Sequence, residues 1–118
     1  MIPNPTFSIV APIYNEVDNV RLLHERISTV MNGLGEPWEL VLVNDGSKDG
    51  SAELIDTVYA EDPDHIRAVH FARNFGHQIA VTAGMDSASG QAIILIDADL
   101  QDPPEIIPQL IEKWREGY

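Results

Sequence analysis

Four short apolar runs, largely β-branched, recur along the 118-residue chain: FSIVAPIY at 7–14, WELVLVND at 38–45, IRAVHFAR at 66–73 and AIILIDAD at 92–99. Their length and their Ile and Val content read as strands. The segments between them carry helical spacing. Val20, Leu23, Ile27, Val30 and Met31 mark 17–32, Leu54, Ile55 and Val58 mark 50–60, a third helix covers 77–88, and Ile107, Leu110, Ile111 and Trp114 mark 104–116. Strand and helix thus alternate four times, which favours an α/β fold: a parallel sheet with right-handed crossovers and helices on both faces. Pro37 and Pro63 punctuate helix-to-strand loops, and the chain shows no repeat, low-complexity stretch or linker.

A chain of this length builds one core, as a small domain or as a piece of a larger one. Its formal net charge is -12 with a pI near 4.4, so the bulk surface repels nucleic-acid backbones and anionic headgroups. No nucleic-acid partner is expected. An anionic ligand has to be met locally, by a metal ion, by one of the few Arg and Lys residues, or by amides at a helix start. The absence of cysteine excludes disulfides and thiol catalysis. The start, MIPNPTF, shows no signal peptide, so a cytoplasmic setting is expected. No apolar run approaches the roughly 18–20 residues that span a bilayer.

Open α/β sheets bind ligands at the carboxyl ends of their strands, near the point where strand order reverses. Here those ends carry Tyr14-Asn15-Glu16, Asn44-Asp45, Arg73-Asn74 and Asp97-Ala98-Asp99, whereas the amino ends begin with Phe7, Trp38, Ile66 and Ala92. The polar groups therefore converge on one edge. In an extended segment alternate side chains share a face, so Asp97 and Asp99 point one way and Ala98 the other. Such a pair of hard oxygen ligands suits Mg²⁺ or Mn²⁺ held jointly with a substrate's phosphates, and Gln101 offers a further neutral oxygen. Asp102, before PPE, reads as a loop or helix-cap residue.

Competing readings fail on spacing. Asp45, Ser47, Asp49, Gly50 and Asp56 match a calcium-loop skeleton, but Ala52 stands where a bulky aliphatic belongs, and a strand precedes the loop. The plainer expectation is a turn at Asp45-Gly46 and a helix start capped by Ser47 or Asp49. Neither a P-loop nor a dinucleotide fingerprint occurs, because the G-x-G at Gly33 and Gly35 follows a helix. A phosphoacceptor signalling domain needs an acidic pair after the first strand and an Asp after the third, where this chain has Glu16 alone and Arg73.

VAPIYNE (10–16), VLVNDGSKDGS (41–51), RNFGHQIAVTAGMDSASG (73–90) and DADLQDPPE (97–105), in this order, resemble the family 2 glycosyltransferases, in particular those that load a sugar onto a polyprenyl phosphate. The resemblance implies a Rossmann-like sheet, the nucleotide-binding half of a GT-A fold. It implies that Pro12, Tyr14 and Glu16 line the nucleotide pocket and that Val43 with Asp45 holds the base. Asp97, Ala98 and Asp99 would contact the diphosphate and the metal, with Gln101 as a further metal ligand. Arg73 and His77 belong to a family motif, with structural roles as the plainer reading. No catalytic side chain is assigned. The implied activity is metal-dependent, inverting transfer from a nucleoside-diphosphate sugar to a polyprenyl phosphate or similar acceptor. The alternative is a nucleotide- and metal-binding fragment without turnover.

In the family the chain continues past Tyr118, so residues 1–118 are expected to form the donor half only, with the full-length protein at the inner face of a membrane. A sheet order of 3-2-1-4 would leave the fourth strand as an exposed edge, through which the fragment is expected to self-associate.

Overall fold

The computed structural model describes residues 5–101 and 103–117; Asp102 lies outside them. The elements run β1 (Phe7–Ile13), α1 (Val17–Leu34), β2 (Trp38–Asn44), α2 (Ser51–Glu61), β3 (Ile66–His70), α3 (His77–Ser87), β4 (Ala92–Leu95), a 3₁₀ turn (Pro104–Ile106) and α4 (Ile107–Arg115). The sheet order is β3-β2-β1-β4 with every pairing parallel, and Phe7 stands beside both Trp38 and Ala92. Both expectations, of class and of strand order, hold.

All seven residues of β2 are buried, as befits a strand covered on both faces. Alternation assigns the faces. Phe7, Ile9, Ala11 and Ile13 meet Val20, Leu23, Ile27 and Met31 of α1, Ile55 and Val58 of α2, and Ile107 and Ile111 of α4. Val10, Val41 and Val43 meet Ala80 of α3 on the other side. The α1 positions recur at helical spacing, and Gly35 ends that helix at φ 74°, where a side chain would be strained. Fully burying each of these aliphatic side chains contributes about 1.5–3 kcal/mol.

Two strands stop earlier than their sequences suggest. β3 ends at His70 rather than 73, because its partner β2 ends at Asn44, and only Phe71 N, bonded to Asn44 O, prolongs the ladder. β4 ends at Leu95, after which Ile96 N still donates to Val10 O at 3.0 Å before the chain turns. The amino edge is also less apolar than the strand starts imply. Glu39, 1% exposed, accepts hydrogen bonds through Oε2 from Ser8 Oγ (2.6 Å), Ser89 N (2.7 Å) and Ser89 Oγ (3.0 Å). This knot ties the α3–β4 connection to the sheet, on the α3 face.

Candidate functional site

The loops after β1 and β2 are stitched together by their own side chains. Asn15, at φ 52°, donates its amide to Ser47 Oγ (2.9 Å) and accepts through Oδ1 from Lys48 N (2.8 Å). An Asn tolerates this left-handed position better than most residues. Glu16 N donates to Ser51 Oγ, and Val17 N to Asp49 Oδ2. Gly50 occupies the N-cap of α2, and Asp49, one residue earlier, accepts from Ser51 N at 3.1 Å, so the capping expected of Ser47 or Asp49 falls to Asp49. Burial pushes the Asp49 carboxyl up, but the hydrogen bonds from Ser51 and Val17 outweigh it and hold the group below the ordinary range.

The positions of the calcium-loop skeleton go to separate partners. Asp56 Oδ1 meets His70 Nε2 at 2.9 Å. Asp45 is 3% exposed and turns to the segment before α3, accepting from Phe75 N (2.7 Å), Gly76 N (3.1 Å) and Asn74 Nδ2 (3.2 Å). Ser47 and Asp49 serve the stitch described above.

Beyond β4, Asp97 and Asp99 are exposed while Ala98 is 4% exposed and joins the core. The alternation expected of a strand therefore persists past its ladder. Leu100 then adopts φ 63°, and Gln101 N donates to Asp99 Oδ1 at 3.1 Å. This turn keeps Gln101 on the surface, outside the cavity that the two aspartates line.

That cavity, of about 440 Å³, opens at the carboxyl ends of β1 and β4. Strand order reverses there: from β1 the chain proceeds through β2 to β3, then returns to place β4 on the other side of β1. Pro12, Tyr14 and Glu16 form the β1 wall, Asp97, Ala98 and Asp99 the β4 wall, and Asp45 with Asn74, Gly76 and His77 the remainder. Seven of the eight residues expected in the nucleotide pocket are thus brought together. The exception is Val43, which is fully buried beneath α3 because its parity on β2 points it into that layer. Gly76 was missed, and Asn74 was read only as a polar group at the end of the third strand, because no spacing rule points a loop residue into a cavity.

Arg73 lies with its guanidinium 4.6 Å from the Phe75 ring centroid. It lines a second cavity with Lys48 and His70, which shares Tyr14 and Asn74 with the first. Four carboxylates, Glu16, Asp45, Asp97 and Asp99, line the first cavity, so a bare polyanion is repelled there unless a cation intervenes. Among the described residues no three acidic or histidine side chains form a ready-made metal cage. Paired oxygen ligands open to solvent are the donor set that Mg²⁺ or Mn²⁺ takes alongside phosphates and water.

The family model for glycosyl transferase family 2 matches residues 8–118. The uncharacterized glycosyltransferase YkcC of Bacillus subtilis is 54% identical over 112 residues, covering 95% of this chain and 34% of that protein. The undecaprenyl-phosphate 4-deoxy-4-formamido-L-arabinose transferase of Pectobacterium carotovorum is 48% identical over 112 residues, covering 94% of this chain and 34% of its own length. The chain thus spans about a third of the curated relatives it matches. The mannosyltransferase PcManGT from Pyrobaculum calidifontis, solved with GDP-Man and Mn2+, superposes with a TM-score of 0.77 at 22% identity, covering 95% of this chain and 32% of that one. That likeness shows the fold.

Proposed function

The chain belongs to glycosyl transferase family 2, and from that premise we propose that its carboxyl-edge cavity binds the nucleoside diphosphate of a sugar donor through a divalent cation. One observation carries this reading: Asp97 and Asp99 stand at the reversal of strand order, across one cavity from Tyr14 and Glu16. Asp97 and Asp99 would hold Mg²⁺ or Mn²⁺, which stabilises the charge developing on a leaving diphosphate. Pro12 and Tyr14 would line the nucleoside side, with the half-exposed Tyr14 ring available for stacking on a base.

For the whole protein the proposed reaction is inverting transfer of the sugar to a polyprenyl phosphate. Support for the acceptor comes from relatives such as the Pectobacterium enzyme, named for undecaprenyl phosphate. A phosphate monoester has its second pKa near ~6, so the acceptor is already largely a dianion at neutral pH and needs no strong general base. What the site must supply is positioning and leaving-group stabilisation. Among the described residues no helix is long and apolar enough to cross a membrane. We propose that the whole protein meets its lipid acceptor at the cytoplasmic face of a membrane.

Residues 1–118 are proposed to be the donor-binding part, and for this span the proposed activity is binding rather than turnover. Titrating UDP and GDP into the chain, with and without Mn²⁺, tests it. Metal-dependent binding of either nucleotide is the expected result, and no binding of either in the presence of metal overturns the reading.

A further inference from the structure

The cavity at the carboxyl edge is rich in hydrogen-bond acceptors and poor in side chains that donate. Glu16, Asp45, Asp97 and Asp99 only accept when ionised, and the Asn74 amide nitrogen already donates to Asp45 O (3.3 Å) and Oδ2 (3.2 Å). Among the side chains lining the cavity, the Tyr14 hydroxyl and the His77 imidazole remain to donate. We infer that His77 donates a ring N–H to a phosphate oxygen of the sugar donor's diphosphate. The inference rests on the donor-site reading proposed above and adds a contact residue to it.

Helical spacing explains why this side chain reaches the cavity. α3 leads from the carboxyl end of β3 to the amino end of β4, so its first residue, His77, stands at the carboxyl edge of the sheet. Its buried positions are Ala80, Val81 and Gly84, and Ala80 packs with Val10 and Val43. His77 lies three and four residues before Ala80 and Val81, so it extends the sheet-facing stripe by one turn. Side chains on a helix lean toward its N-terminus, which carries the imidazole outward to the cavity wall. No strand is left there for it to cover, and the residue is exposed.

The backbone at His77 is held while its ring is left free. Phe75 N and Gly76 N donate to the Asp45 carboxylate, and Ala80 N donates to Gly76 O at 3.1 Å. The other three histidines are engaged within the fold: His24 and His65 on Asp62, and His70 between Asp56 and Asn44. Among the described residues no hydrogen bond, ion pair or ring contact reaches the His77 ring. An imidazole carries an N–H in either protonation state, whereas ionised phosphate oxygens only accept. A bond between the two is charge-assisted and roughly twice as strong as a neutral one. The cation proposed at Asp97 and Asp99 meets part of the diphosphate's charge, and His77 supplies a second contact from the α3 side.

The test uses the 118-residue chain with Mg²⁺ and three probes: UDP and GDP by isothermal titration, and uridine, which has no phosphate, by NMR shift titration. His77→Ala is expected to weaken UDP and GDP about tenfold or more, as befits loss of a hydrogen bond to a charged group, and to leave uridine at its native affinity. His77→Lys, whose ammonium donates but has no lone pair for a metal, is expected to recover most of that loss. Because the ring is exposed, both variants should melt at the native temperature. Native affinity for UDP in His77→Ala overturns the inference. An equal loss for uridine overturns it too, since it puts His77 against the nucleoside. So does a loss that His77→Lys leaves in place, which makes His77 a metal ligand or a packing residue. In all three cases the donor site itself stands. If the native chain binds neither UDP nor GDP with metal present, the donor-site reading falls and takes the inference with it.

Discussion

Ser8 and Glu39 stand side by side on β1 and β2, the serine hydroxyl donating to Glu39 Oε2 at 2.6 Å with both residues sealed from solvent. The other carboxylate oxygen lies 3.6 Å from Arg67 Nε. Removing one partner of a buried polar set strands the rest. Glu39→Ala is expected to destabilise the chain by about 3 kcal/mol in urea unfolding. Because this knot sits at the edge opposite the cavity, nucleotide affinity of the folded fraction should stay unchanged.

Asp62 gives the fold an acid-sensitive clasp between α1, α2 and β3. Its Oδ2 meets His24 Nε2 and its Oδ1 meets His65 Nδ1, both at 2.9 Å, and the His65 ring stacks 4.1 Å from Trp38. Burial pushes the Asp62 carboxyl up, but the hydrogen bonds and charges of His24 and His65 outweigh it and hold the group below its ordinary 3.8. A lowered folded pKa means the contribution is complete above the unfolded value and is lost as pH falls through the folded one. Asp62→Asn should cost about 1 kcal/mol near neutral pH, allowing for solvent screening. Melting temperatures followed down from pH 7 should converge on those of the native chain only below pH 4.

Gly84 lets α3 settle onto the sheet: a Cβ there would lie 2.4 Å from Val10 Cγ1 and 3.1 Å from Val43 Cγ2. Gly33, near the end of α1, has nothing within 4 Å of such an atom. Alanine raises helix propensity at both sites by about 1 kcal/mol, but overpacking costs about 1–3 kcal/mol at the first. Denaturation midpoints should therefore fall for Gly84→Ala and rise for Gly33→Ala.

Asp97 and Asp99 are solvent-exposed, so their removal should be tolerated by the fold. Asp99→Ala is expected to leave stability within about 0.5 kcal/mol of native. Metal-dependent nucleotide affinity should drop by at least about a hundredfold, the upper end of what even a supporting group of a metal site costs when lost. Isothermal titration with Mn²⁺ present reads both nucleotides directly. Retained affinity would remove Asp99 from the proposed metal site.

The outer edge of β4, though only four residues long, carries no charged residue or proline to protect it. Ile93 and Leu95 are exposed, and together with Leu110 and Trp114 of α4 they line a groove. The 118-residue chain is expected to self-associate through this edge. Light scattering over a concentration series should show rising mass, and Leu95→Lys should return it to the monomer value.

The fold was largely legible because a parallel sheet announces itself through β-branched runs of strand length between helical repeats. Parity was not. WELVLVN is apolar toward both layers, and only the register places Val43 under α3 instead of at the cavity. Glu39 reads as one acid in that run, since the residues that satisfy it, Ser8 and Ser89, lie 31 and 50 positions away. The site was legible where a strand end fixes a side chain, as for Tyr14 and Asp97. It was not legible where a turn intervenes, and Leu100 at φ 63° redirects the chain before Gln101.

The aspartate pair hangs from the least supported strand of the sheet. β4 has four residues and, among the described residues, hydrogen-bonds along one side only, whereas β1 is gripped on both. Whatever occupies the open side of β4 therefore stiffens the mount of Asp97 and Asp99, and anything that leaves it bare lets that mount swing. On the proposed metal site, a ligand at the aspartates and a strand laid against β4 should each tighten the other's hold.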